Sequence, residues 1–259
     1  MSTPLPTLFL GHGNPMNALS ANPYTEAWRR IGQQIPRPRS ILCISAHWYV
    51  PHAGVTIATA PHTLHDFGGF PRELYEVQYP APGSPALARR VKHLLAPLRV
   101  TLDTSWGLDH GTWSVLRHIY PEADIPVVQL SIDRTQPPAF HYEIGQRLAA
   151  LRQEGTLILG SGNLVHNLRA YAWDGQPVPA YDWATSFEAT AKNLILAGTP
   201  APLIAYESLG KPAALSIPTP DHYLPLLYAL GASQTSDAIH FPVEGIEGGA
   251  ISMLAIQFG

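Results

Sequence analysis

The stretch Thr7–Leu19, TLFLGHGNPMNAL, sets an apolar run against an abrupt Gly-His-Gly-Asn-Pro ending. The run reads as a buried strand. The two glycines let the backbone turn sharply and clear space around the imidazole of His12. Two further runs have the same form. SILCISA (Ser40–Ala46) is followed at once by His47, and TLILGSG (Thr156–Gly162) by His166 within GSGNLVHNL. Three separate strand-like runs thus each deliver a histidine just past the carboxyl end. In open parallel sheets, ligands bind in the crevice beyond those ends. Parallel pairing of these strands brings the imidazoles to one sheet edge.

The remaining pattern agrees with a parallel sheet. GVTIATA (54–60), RVTLDT (99–104) and IPVVQLSI (125–132) also read as strands. Helical patterns lie between many of the runs. Asn22–Ile35 and Ser84–Leu98 each open on a capping residue followed by proline, and Pro137–Gly155 and Asp182–Gly198 each end on glycine. Alternating strands and helices predict an α/β fold with a mostly parallel central sheet and helices on both faces. The tail, AIHFPVEGIEGGAISMLAIQFG, carries two apolar runs around a Gly-rich turn, which predicts a β-hairpin at one sheet edge. No repeat or linker interrupts the 259 residues, so residues 1–259 read as one domain.

Composition narrows the function. Forty-six per cent hydrophobic residues suffice for a large core, and a net charge of −3 without a basic stripe gives nucleic-acid binding no electrostatic support. Cys43 is the sole cysteine, which excludes an intrachain disulfide. The start MSTPLPTLFLGHG lacks the charged and long apolar regions of a signal peptide, and no apolar run has the ~20 residues that span a bilayer. The expectation is a soluble, cytoplasmic protein without a membrane partner.

Twelve histidines stand against sixteen lysines and arginines, and histidine is the commonest metal ligand. A fourth histidine of interest, His222, sits in IPTPDHYLPLLYALG, where Thr219 or Asp221 is expected to cap a helix with His222 in its first turn. Taken singly, these histidines read as a turn residue (His12), a core histidine (His47) and a helix-start surface group (His222). Taken together they predict a metal site. No Cys-x-x-Cys pair and no His-Glu-x-x-His helix is present, which argues against a structural zinc site or a zincin. Asp109-His110-Gly111 precedes another helix, and reads either as a capping turn or as a site element. The segment HTLHDFGGFPRELYEVQYPAPGSP is long and irregular, as functional loops often are. Its Phe67, Phe70 and Tyr75 are candidates for the wall of an apolar pocket.

Six motifs in order, GHGNPMNAL, ISAHW, HDFGGFPRELYEVQYPAPG, GLDHGTWSVLRHIYP, GSGNLVHNLR and PTPDHYLPLLYALG, resemble the extradiol 4,5-DOPA dioxygenase family. That family belongs to the class III ring-opening dioxygenases, which include the protocatechuate 4,5-dioxygenase β subunit. The likeness runs from about residue 8 to the C-terminus. It implies His12, His47 and His222 as ligands of one divalent metal, with Fe(II) expected for activity and Zn(II) an alternative occupant. It also implies His166 as acid/base near its ordinary pKa of about 6.5, close enough to become a fourth ligand, and His110 facing the substrate. Two-His-one-carboxylate sites in the wider superfamily make Glu207, Glu244 or Glu247 alternatives to His222. Trp48, Trp106, Trp113 and Tyr223 are expected to join Phe67 around the substrate. The implied reaction puts both atoms of dioxygen into a catechol, giving a ring-opened semialdehyde. A zinc hydrolase and a non-catalytic metal-binding protein are the competing readings.

Overall fold

The computed structural model describes residues 4–173 and 178–259. The first three residues of the N-terminal stretch considered for a targeting signal lie outside them. Six strands form the central sheet: β1 (Thr7–Gly11), β2 (Ser40–Ser45), β3 (Val127–Gln129), β4 (Thr156–Gly162), β5 (Ile239–Val243) and β6 (Ala255–Phe258). Their order across the sheet is β3-β2-β4-β1-β6-β5. The first four are parallel, and β6 and β5 add antiparallel on the β1 side.

Every residue of β1 and β4 is buried. Strict side-chain alternation then feeds two cores. Phe9, Leu42, Ile44 and Ile158 face one side, while Leu8, Leu10, Ile41, Cys43, Leu157 and Leu159 face the other. Six of the helices cover these faces: α1 (Pro23–Gln34), α2 (Pro85–Leu94), α3 (His110–Ile119), α4 (Pro138–Leu148), α5 (Asp182–Leu196) and α6 (Leu224–Ala232). Helices α1 and α3 pack together on the second core through Trp28, Ile31 and Leu116, whereas α6 and α4 pack on the first through Leu226, Leu227 and Ile144. Asn22 closes a capping box at the start of α1, as its place before proline predicts.

Two expectations about strands need correction. Ala53–Thr56 and Val100–Asp103 do not enter the central sheet but pair with each other in a parallel ladder of their own. In the second of them only Val100 is buried, so it cannot occupy the middle of a two-sided layer. The run 125–132 is split, with Ile132–Asp133 pairing instead with Tyr49–Val50. The C-terminal hairpin is present as β5 and β6. Its connection folds into a second small ladder, Ile246–Glu247 against Ile251–Ser252, around Gly248 and Gly249.

Among the described residues, no helix is long and apolar enough to cross a membrane.

Candidate active site

The parallel register aligns Gly11 with Gly162 and Ser45 with Ser161, so β1, β4 and β2 end at one level. His12 and His47 leave the sheet there, from strands on either side of β4. The glycines around His12 have separate duties. A Cβ on Gly11 would lie 2.5 Å from the Ser252 carbonyl oxygen, and Gly13 takes φ +60°.

His222 arrives from another direction. Helix α6 begins at Leu224, later than expected, and no side chain caps it. The turn before it lies directly on β4, where Asn163 N–H donates to the His222 carbonyl at 2.9 Å. A Cβ on Gly162 would stand 2.1 Å from that carbonyl oxygen. The expected cap, Asp221, instead turns its carboxylate onto His222 Nδ1.

His12, His47 and His222 each offer a ring nitrogen within 4.8 Å of the others. The outward face of each ring is engaged. His12 Nδ1 lies 3.0 Å from Ser161 Oγ, whose own hydrogen is donated to the Gly111 carbonyl at 2.5 Å, so Ser161 accepts from His12. His47 Nδ1 lies 3.4 Å from Asp66 Oδ2, and His222 Nδ1 faces Asp221. With Nδ1 protonated on all three, each Nε2 presents a lone pair inward. His12 and His47 bring these nitrogens to 3.2 Å. Burial first, then the neighbouring histidines, hold the pKa of both rings well below the ordinary value. Buried neutral imidazoles whose lone pairs face one another repel. A cation among them removes the repulsion, so this donor set fits a divalent metal held by nitrogen.

Two more histidines complete the cluster. His166 stacks on His222 with centroids 3.5 Å apart, and its ring nitrogens do not join the group that meets within 4.8 Å. Burial, reinforced by His222, pushes its pKa down to about 3, far from the ordinary value expected from sequence. His110 is the first residue of α3, which Asp109 caps through the Thr112 N–H. Asp109 therefore caps the helix as one reading of this segment expects, and His110 beside it lines the same cavity as the other histidines. Its Nδ1 lies 3.0 Å from Asp66 Oδ1, and the same oxygen accepts from its backbone N–H at 2.9 Å. Asp66 thus touches His47 and His110 at once. Burial raises its pKa, but the His110 contacts outweigh this and the net shift is downward. The sequence reading missed Asp66. Its only signal was an acid beside a histidine in the irregular loop HTLHDFGG.

The cluster floors a cavity of about 300 Å³. Phe67 and Phe70 form part of its wall, while Leu168, Tyr171, Trp173 and Glu247 lie toward the small C-terminal ladder and the loop after β4. Most of the other aromatic candidates are elsewhere. Trp48 stacks on Trp106 at 5.4 Å, outside the cavity. Trp113 is fully buried behind Phe67 and donates from its indole to the Leu64 carbonyl at 2.9 Å. Tyr223 is buried in the first core and donates to the Leu203 carbonyl at 2.7 Å. Tyr75 packs on the back of Phe67. The carboxylate alternatives separate as well. Glu207 is exposed on a short 3-10 helix, and Glu244 pairs with Lys192 at 2.6 Å. Glu247 lines the cavity without joining the nitrogen cluster.

Comparison with known proteins identifies the family. Residues 8–247 match the family described as the catalytic LigB subunit of aromatic ring-opening dioxygenase. The chain is 55% identical to a protein of Escherichia coli K12 named 4,5-DOPA dioxygenase extradiol, covering 100% of this chain and 96% of that one. It is 37% identical to a protein of the same name from Beta vulgaris, over 97% and 96% of the two chains. A crystal structure of an uncharacterized Escherichia coli K12 protein superposes with a TM-score of 0.87 at 49% identity, covering 98% of this chain and 100% of that one. The chain therefore belongs to the LigB family of aromatic ring-opening dioxygenases and is an oxidoreductase of the extradiol dioxygenase type.

Proposed function

We propose that residues 1–259 act as one catalytic domain that opens a DOPA-like catechol to a semialdehyde with both atoms of dioxygen, using one Fe(II) held by His12, His47 and His222. The observation that carries this reading is the inward convergence of those three imidazoles, each fixed from behind by Ser161, Asp66 or Asp221. The names of the bacterial and plant relatives support the choice of DOPA. Fe(II) held by these three histidines would supply the redox capacity that lets triplet dioxygen react with a closed-shell catechol. Zn(II) fits the same nitrogens but is redox-silent.

The protein's own groups do the positioning and the proton transfer. His166, neutral and beside the ligand cluster, accepts a catechol hydroxyl proton and returns it as the ring opens. His110, whose Nδ1 lies 3.0 Å from Asp66 Oδ1, offers Nε2 to the substrate. Phe67 and Phe70 flank the ring and keep water away. The chain works in the cytoplasm, with catechol and dioxygen as its small-molecule partners.

The test is anaerobic loading with Fe(II), then a panel of catechols with oxygen uptake recorded. Uptake equal to catechol consumed, and absent from a zinc-loaded sample, is the expected result. Hydrolysis without oxygen uptake overturns the reading in favour of a hydrolase, and binding without any conversion overturns it in favour of a non-catalytic protein. For the ligand set, His12→Ala, His47→Ala and His222→Ala each lose stoichiometric metal, while Glu207→Ala and Glu244→Ala keep it.

A further inference from the structure

The charge pattern of the cavity is one-sided. Among its described lining residues there is no lysine or arginine, yet it holds two carboxylates. Asp66 is committed to His47 and His110. Glu247 is committed to nothing: among the described residues its carboxylate has no ion-pair or hydrogen-bond partner. Burial alone raises its pKa, with no compensating contact. Glu244, close by in sequence, already has Lys192.

An acid left half-buried without a partner in an apolar cavity is costly unless a ligand supplies the missing charge. The small ladder fixes its place, since Glu247 pairs with Ile251 and both residues line the cavity. Tyr171 feels its charge and lines the same cavity, with Trp173 packed edge-on at 4.7 Å and 67% exposed at the mouth. A carboxylate with aromatic faces beside it is the chemistry that holds an ammonium group.

We infer that Glu247 is a specificity-determining residue that anchors a cationic group on the catechol's side chain, so that this site selects ammonium-bearing catechols and rejects those whose only side-chain charge is a carboxylate. The inference rests on the catechol reading of the cavity. It also separates Glu247 from the metal, for which the sequence alone left it an alternative ligand.

The test compares catechols with short side chains of opposite or no charge: dopamine, 4-ethylcatechol and 3,4-dihydroxyphenylacetate. The iron-loaded enzyme gives kcat/KM, and tryptophan fluorescence of the zinc-loaded enzyme gives Kd. In the wild type, dopamine is expected to lead and the acid to come last in both measurements. In Glu247→Gln, the ratio of dopamine to 4-ethylcatechol falls by roughly 10- to 100-fold, the scale of a charge-assisted hydrogen bond, while metal content stays at one per chain. Glu247→Asp falls between the two. A wild-type enzyme that prefers the acid or ignores charge overturns the inference, even if the variants do not fold, and so does a ratio unmoved in Glu247→Gln. If no catechol is cleaved but dopamine binds in a Glu247-dependent way, ring cleavage fails and the cation anchor stands.

Discussion

The His166 ring lies flat on the His222 ring, 5° from parallel and 3.5 Å away between centroids. Burial first, and His222 second, hold His166 neutral before a substrate proton reaches it. A neutral ring beside the ligand cluster, but outside it, suits a group that acts on the substrate. His166→Ala is expected to keep one metal per chain and to bind catechol with a similar KM. Its kcat falls by roughly 10²–10⁴-fold, the usual contribution of a positioned acid/base. Metal analysis beside steady-state kinetics checks this. Loss of the metal would make His166 a ligand.

Asp66 reaches two rings with two oxygens, His47 at 3.4 Å and His110 at 3.0 Å. Asp66→Asn presents an amide N–H₂ to one of them and so disturbs its tautomer without emptying the space. Removal of a group that orients a metal-binding histidine typically costs 10- to 100-fold in affinity. Competition with a chelating dye is expected to show a loss of that order, with a melting temperature close to the wild type. An unchanged affinity would leave Asp66 without a role in orienting His47.

Gly162 tests the contact that places His222. A Cβ there would lie 2.1 Å from the His222 carbonyl oxygen, so the backbone before α6 has to retreat from β4. Gly162→Ala is expected to cost ~1–3 kcal/mol of stability through overpacking and to weaken metal binding. Gly68→Ala is the control, because a Cβ on Gly68 meets nothing within 4 Å. Chemical denaturation and metal titration of both variants decide the point. Full metal affinity in Gly162→Ala would mean that His222 does not depend on this approach.

The strands ending at His12, His47 and before His166 were legible because both faces of β1, β2 and β4 are buried, which writes an unbroken apolar run into the chain. The pairing of 53–56 with 100–103 was not, because a short half-exposed ladder has no such signature. Legibility failed most at the neighbours of site histidines. Trp48 follows His47 and Tyr223 follows His222, yet each points away from the cavity, as successive side chains in an extended or turning backbone tend to do. Phe67, by contrast, lines the cavity from the irregular segment that follows His65. Asp66 was hidden for another reason. An acid's role depends on what it faces, and the partners of Asp66, His47 and His110, lie too far away in sequence for any local pattern to record.

Burial of neutral histidines also sets how the fold responds to acid, and His141 isolates the effect from the metal site. It is fully buried on α4, with Nδ1 2.8 Å from the Tyr228 hydroxyl. Burial pushes its pKa down to about 4. In the unfolded chain a histidine titrates near 6.5. Between those values the unfolded state binds a proton that the folded state does not. Stability is therefore highest above pH 6.5 and falls as the pH drops toward 4, by at most ~1.4 kcal/mol per pH unit and ~3 kcal/mol in total from this group. His141→Gln keeps a hydrogen-bonding group opposite Tyr228 but cannot take up the proton. Urea unfolding at pH 7, 6 and 5 is expected to show a shallower loss of stability in the variant, by up to one proton's worth. Some slope survives, because His12, His47 and His166 are depressed in the same direction. Parallel pH profiles for wild type and variant would show that His141 takes up its proton in the folded state as readily as in the unfolded chain.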